Sequence, residues 1–264
     1  MSTKGNDTNL VELAIEGSVA TITFNRPEVR NAVNDTMRAE LAGILGRVTS
    51  DDGVRAVVIT GKGAGFCSGG DISRMKERLA APPGTIAYTG LQRQKQLHQT
   101  VALLHGMGKP TIAAVNGAAA GLGCDLALAC DFIIASETAF FTMSFILRGL
   151  VPDGGGLYFL PRRVGLARAK ELIFTGRRVP AQEALAIGLA DRITAPERLL
   201  ADAHEWAKQL SSGSSVALAL AKSILDKSFE LSDEHVLTLG REAQAICFTT
   251  AEHREAVAAF LNRK

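Results

Sequence analysis

The segment that most restricts this chain is residues 111–131, TIAAVNGAAAGLGCDLALACD. It passes from an apolar β-prone stretch through small residues into an apolar helical pattern that holds one acid, Asp125. The small residues from Gly117 to Gly123 let backbone approach backbone. A helix starting near Leu122 leaves its first N–H groups without intrahelical partners, aimed along the positive end of the helix dipole. Leu122 and Asp125, three apart, then share one face, so an amide donor and a carboxylate can address one small molecule. A carboxylate between Cys124 and Leu126 costs free energy unless it is paired or used. The competing structural reading is a first-turn acid that only complements the dipole.

A second stretch, residues 61–75, GKGAGFCSGGDISRM, follows the strand pattern Ala56–Thr60 and leads toward a helix beginning near Asp71. Two glycine-rich strand-to-helix turns on one chain suggest two converging donors. Neither matches a nucleotide-binding loop: the first lacks the G-x-x-x-x-G-K-[ST] order and GLGCDL lacks G-x-G-x-x-G. G-x-S-x-G of serine hydrolases is also missing.

The rest of the chain reads as α/β. Val11–Ile15 and Val19–Phe24 form a hairpin, Thr36 to Val48 a helix, and Arg55–Gly61 a strand. Residues 76–90, with two prolines and a glycine, read as a mobile segment before a helix from Leu91 to Met107; Thr111–Val115, Phe132–Ala135 and Ala139–Met143 are strands. Pro152-Asp153-Gly154 reads either as a turn with Asp153 capping the next helix or as a site carboxylate. Helices follow at 165–174, 181–188 and 196–211, and from Ser214 the pattern is almost purely helical, with more apolar surface than lone helices bury. This divides the chain into a flexible 1–9, a core at 10–195 and a helical region at 196–264.

With 264 residues, 47% hydrophobic and 21% charged, the chain can bury a large core, and disorder is excluded. Its net charge of +2 comes from scattered basic residues, which argues against a nucleic-acid binder. Cys67, Cys124, Cys130 and Cys247 contain no C-x-x-C pair and read as buried free thiols; no His in either glycine-rich motif activates Cys67 or Cys124 as a nucleophile. His98 and His105 read as partly buried or surface histidines. The start of the chain has no apolar signal region and the longest apolar stretch is broken by Asn116, Asp125 and Asp131, so a cytoplasmic protein that does not enter the membrane is expected.

Asn25-Arg26-Pro27, Asn31-Ala32, FCSGGDI and AAVNGAAAGLGCDLALACD together resemble the crotonase superfamily of enoyl-CoA hydratases and isomerases, over residues 10 to 264. The resemblance implies a spiral of stacked β-β-α units with a C-terminal helical trimerisation region, assembling as a homotrimer or a hexamer of two trimers. It implies an acyl-CoA substrate whose thioester oxygen is held by the amides of Gly70 and Leu122, with coenzyme A as part of the substrate and no metal or redox cofactor. Cys67, Ser68, Gly69, Asp71, Ile72, Gly121, Phe145 and Arg26 are the substrate-binding positions it implies, and Phe260 and Arg263 match closing-helix positions that contact CoA.

The same resemblance departs at the acids. Family hydratases use two glutamates; the first falls on Asp125 and the second on Phe145, which can neither give nor take a proton. Asp153 occupies the place where dienoyl-CoA isomerases and some enoyl-CoA isomerases keep a catalytic aspartate. The favoured expectation is therefore a double-bond isomerase using Asp153, Asp125 or both. A hydratase using those two acids and a non-catalytic acyl-CoA-binding homologue are the alternatives.

Overall fold

The computed structural model describes residues 9–71, 73 and 80–262. The chain enters through the expected hairpin, β1 (Val11–Glu16) and β2 (Val19–Phe24), paired antiparallel with Val11 opposite Phe24. Helix α1 (Asp35–Ser50) follows; the Asn34 side chain caps it by accepting the Met37 N–H at 2.8 Å.

Three strand pairs then follow one another. β3 (Ala56–Gly61) and β4 (Gly65–Cys67) precede helix α2 (Pro83–His105); β5 (Thr111–Val115) and β6 (Ala118–Ala120) precede α3 (Leu122–Leu128); β7 (Phe132–Ser136) and β8 (Phe140–Thr142) precede α4 (Gly156–Val164). In each pair the first strand joins a six-stranded sheet and the second a four-stranded one. Among the described strands the orders are β1-β2-β3-β5-β7-β10 and β4-β6-β8-β9, completed by β9 (Val179–Pro180) and β10 (Arg192–Thr194). Successive units stack in parallel, Val57 beside Thr111 and Ile112 beside Phe132, which is the spiral of strand–helix units that the resemblance implied.

β3 is buried along its whole length because both faces of the large sheet are covered. Val57 and Ile59 face the main core with Phe24, Met37 and Leu41. Ala56 and Val58 face Trp206 and Ala203 of helix α7 (Leu199–Leu210), which lies on the opposite side of the sheet, after α5 (Leu166–Thr175) and α6 (Ala181–Ala186). Each such Val or Ile contributes about 1.5–3 kcal/mol by burial. The C-terminal helices α8 (Ser215–Leu225), α9 (Asp233–Thr249) and α10 (Ala251–Leu261) differ: none of their residues is fully buried, and Leu225, Leu237, Phe260 and Leu261 are exposed.

Two expectations are corrected. Helix α2 begins at Pro83, not Leu91, so residues 83–90 of the expected mobile segment are helical. Pro at the first helical position needs no N–H and already has a helical φ, so the Pro82-Pro83 pair starts the helix. The glycine-rich loops also contain strands β4 and β6, each three residues long and too short to show a period of two. Among the described residues, no helix is long and apolar enough to cross a membrane.

Candidate active site

The first glycine-rich turn is built by Asn31. This buried residue has a positive φ of 58°, accepts the Arg26 N–H at 2.9 Å, and donates to the carbonyls of Lys62 and Gly65 at 3.0 and 2.7 Å. Arg26 in turn donates to the Ala32 carbonyl and to Asp71 at 2.9 Å. The Ser73 hydroxyl and N–H, followed by Arg26, hold the Asp71 carboxyl below its ordinary range. Arg26, expected at the substrate, is thus engaged in an ion pair that fixes the turn. Val33 N–H donates to Gly69 and Asp71 N–H donates to Val33, a parallel bridge that turns the Gly70 N–H to the other side.

The second turn meets the first directly. Gly121 N–H donates to Thr142 at 2.9 Å and Leu122 opens α3, so the Leu122 N–H has no partner within the helix. Gly69, at φ +101°, lies so close that a Cβ there would sit 2.9 Å from the Ala120 carbonyl oxygen and 3.6 Å from the Leu122 nitrogen. Gly123 seats α3 on β4, where a Cβ would stand 2.1 Å from the Cys67 carbonyl oxygen. Gly70 and Leu122 line one cavity of about 430 Å³. Two N–H groups on facing rigid turns can donate to one oxygen as it gains negative charge.

The two candidate acids have separate environments. Asp153 is half-buried and lines this cavity; its carboxylate accepts from Gln94 Nε2, and its carbonyl accepts from His98 Nε2 at 2.9 Å. It does not cap α4, whose N-cap is Gly155 without a side-chain bond. Asp125 is fully buried and is not among the residues lining the cavity. Its Oδ2 accepts the Gly154 N–H at 2.8 Å, while its Oδ1 has no partner among the described residues. Burial pushes the carboxyl up to about 8; the Gly154 N–H opposes the rise and the Asp153 charge adds to it. The first turn of α3 thus points the Asp125 carboxylate toward the 154–156 turn.

Of the other expected positions, Ser68, Gly69, Asp71, Gly121 and Phe145 line the cavity. Cys67 does not. It is buried in β4 and burial pushes its thiol up to about 12, which keeps it unreactive. Phe260 is 75% exposed on α10 and is not part of the cavity wall, because the last helix leaves the core. Ile72 and Arg263 lie outside the described residues. Sequence reasoning missed Gln94 and Leu97, which line the cavity from α2. Both already lay on the helix expected from Leu91, but their spacing of three shows only that they share a face, and nothing local says that this face meets the glycine-rich turns.

A protein-family model described as enoyl-CoA hydratase/isomerase matches residues 14–264. The short-chain-enoyl-CoA hydratase of Clostridium acetobutylicum is 37% identical over 97% of this chain and 96% of its own length. The 1,2-epoxyphenylacetyl-CoA isomerase of Escherichia coli is also 37% identical, over 95% and 94%. The crystal structure of an enoyl-CoA hydratase from Polaromonas sp. JS666 superposes with a TM-score of 0.89 at 34% identity, covering 96% of this chain and 97% of that one.

Proposed function

This chain belongs to the enoyl-CoA hydratase/isomerase family, and from that premise we propose that it moves the double bond of an enoyl-CoA thioester. The thioester oxygen accepts from the N–H groups of Gly70 and Leu122. Asp153 removes a proton from the substrate, the C–H electron pair enters the enolate, and the same carboxyl returns the proton at the other end of the three-carbon system. Asp125 holds the turn that carries Asp153. Written this way the reaction needs neither metal nor redox cofactor, since coenzyme A belongs to the substrate.

The observation that carries this reading is the wall of the cavity: it holds one of the two candidate acids, Asp153, together with Gly70, Leu122 and Phe145, and the resemblance of the sequence implies that Phe145 falls where hydratases of the family keep their second glutamate. The similar proteins carry both names at equal identity, so the names alone do not choose between isomerase and hydratase. Incubation with a 3-enoyl-CoA and a 2-enoyl-CoA, followed by chromatography and mass spectrometry, separates the readings. Isomerisation changes retention at constant mass and hydration adds a water. Efficient water addition to the 2-enoyl-CoA without isomerisation of the 3-enoyl-CoA would overturn the proposal; no turnover of either by folded protein that still binds acyl-CoA would favour the non-catalytic homologue.

The exposed apolar side chains of α8, α9 and α10, Leu225, Leu237 and Phe260 among them, support assembly of copies through this region, as a trimer or a pair of trimers. Light scattering of the eluted protein tests it: three or six times the 27.9 kDa chain mass is expected, and a monomer at micromolar concentration contradicts it.

A further inference from the structure

One face of α2 grips residue 153 twice. Gln94 reaches its side chain, and His98, one turn later, donates to its main-chain carbonyl. Because a carbonyl only accepts, that contact places the proton of His98 on Nε2. The two bonds have different consequences. The His98 bond fixes the backbone of the turn in every protonation state, whereas the Gln94 bond touches the oxygen atoms that gain and lose a proton.

Gln94 also carries an unmet acceptor. Its Oε1 is buried and has no hydrogen-bond partner among the described residues, although Nε2 of the same amide is engaged with Asp153 Oδ2. A buried carbonyl oxygen left unpaired is costly, on the order of 1–3 kcal/mol, and calls for an explanation. The chemistry of the carboxyl beside it supplies one. An ionised carboxylate accepts only, but a protonated carboxyl has an O–H that must be donated. An amide presents a donor and an acceptor on adjacent atoms, exchanged by a half-turn of its last torsion, which has a broad, roughly two-fold profile.

We infer that Gln94 is a positioning residue that holds Asp153 through both halves of the proton transfer: Nε2–H donates to the carboxylate before the proton is taken, and Oε1 accepts from the carboxyl O–H after it. The inference rests on the reading of Asp153 as the base. The proton comes from the substrate carbon and returns to the substrate, so no further reactant is needed. The other charged or titratable groups that line the cavity or act on residue 153 are left in place when Gln94 is altered: His98 and Arg93 on α2, Arg38 and Asp35 at the start of α1, Asp71 after β4, Arg148 in the loop before α4, and Asp125 behind the turn.

The test is Gln94→Leu together with Gln94→Asn, which keeps the amide but is one methylene too short to reach. With fold verified by circular dichroism and thermal melting, each variant should lose about 10- to 100-fold in kcat toward the 3-enoyl-CoA, the size expected for a hydrogen bond to a charged group. KM should stay within about three-fold. The acidic limb of the kcat profile should move to higher pH, because the bond lost from the anion is charge-assisted and stronger than the one lost from the neutral carboxyl. Wild-type kcat with an unmoved limb, or a loss confined to KM or to melting temperature, overturns the inference. Asp153→Asn run in parallel separates the two claims. An inactive Asp153→Asn beside unimpaired Gln94 variants removes only Gln94's role, whereas an Asp153→Asn enzyme with wild-type turnover removes the base and Gln94's role together.

Discussion

Asp125 accepts the Gly154 N–H at 2.8 Å across 29 positions of sequence, so the acid that looks most catalytic in the chain clamps the turn next to Asp153. Both partners are buried, which makes the bond hard to replace with water. Proton linkage follows from the same burial.

The Asp125 carboxyl is raised from an ordinary 3.8 to about 8, so between those values the folded chain binds a proton that the unfolded chain releases. Stability contributed by this group is therefore present below about pH 4 and declines as pH rises toward 8. Asp125→Asn keeps an acceptor for Gly154 and cannot ionise. Melting temperatures taken between pH 5 and pH 8.5 should fall less in the variant than in the wild type. Parallel curves would mean that Asp125 stays ionised in the folded state.

Gly123 and Gly43 form an opposed pair. A Cβ on Gly123 would meet the Cys67 carbonyl oxygen at 2.1 Å, on rigid strand backbone, whereas Gly43 is exposed in α1 with nothing within 4 Å. Gly123→Ala should cost about 3 kcal/mol or more by overpacking, and it should displace Leu122 from Gly69. Gly43→Ala should stabilise by about 0.5–1 kcal/mol through helix propensity. Urea unfolding of the two variants reads both signs, and a neutral Gly123→Ala would show that α3 does not seat on β4 this closely.

These glycines also mark what the sequence made legible. Small residues at 117–123 announced a close approach, and apolar periodicity located β1, β2, β3 and α1 to within a few residues. The sequence did not reveal what the glycines approach, because Cys67 lies 56 residues before Gly123 and contact at that range leaves no local pattern. The surroundings of Asp125 were hidden in the same way. Its position on the face of α3 was read correctly, but only the packing of the 154–156 turn decides whether that face meets solvent, substrate or backbone. The pairing of Arg26 with Asp71 was not legible either, because an arginine paired to a carboxylate and one offered to a ligand look alike in sequence.

Gly70 can be tested at the level of a single N–H. Its bridge to Val33 uses the groups of Gly69 and Asp71, and a Cβ at Gly70 meets nothing within 4 Å. Gly70→Ala should therefore keep the donor and near wild-type turnover, while Gly70→Pro deletes it and should lower kcat by about two to three orders of magnitude. Equal activity in two folded variants would take Gly70 out of the mechanism.

Phe145 decides what can approach Asp153 besides the substrate. Its ring is 9% exposed, lines the cavity, and lies 3.8 Å from where a Cβ on Gly121 would stand, next to the residue that opens α3. Phe145→Ala should cost about 3 kcal/mol or more for the lost burial and the space left behind. That space borders polar groups and is open to the cavity, so it fills with water instead of staying dry. Asp153 then has a water within the site that it can deprotonate in place of the substrate carbon. Incubated with a 2-enoyl-CoA, the variant should form more of the water adduct relative to isomerised product than the wild type does. Mass spectrometry of the thioesters measures that ratio directly. An unchanged ratio in a folded variant would mean that Phe145 shapes the pocket without keeping water from the base.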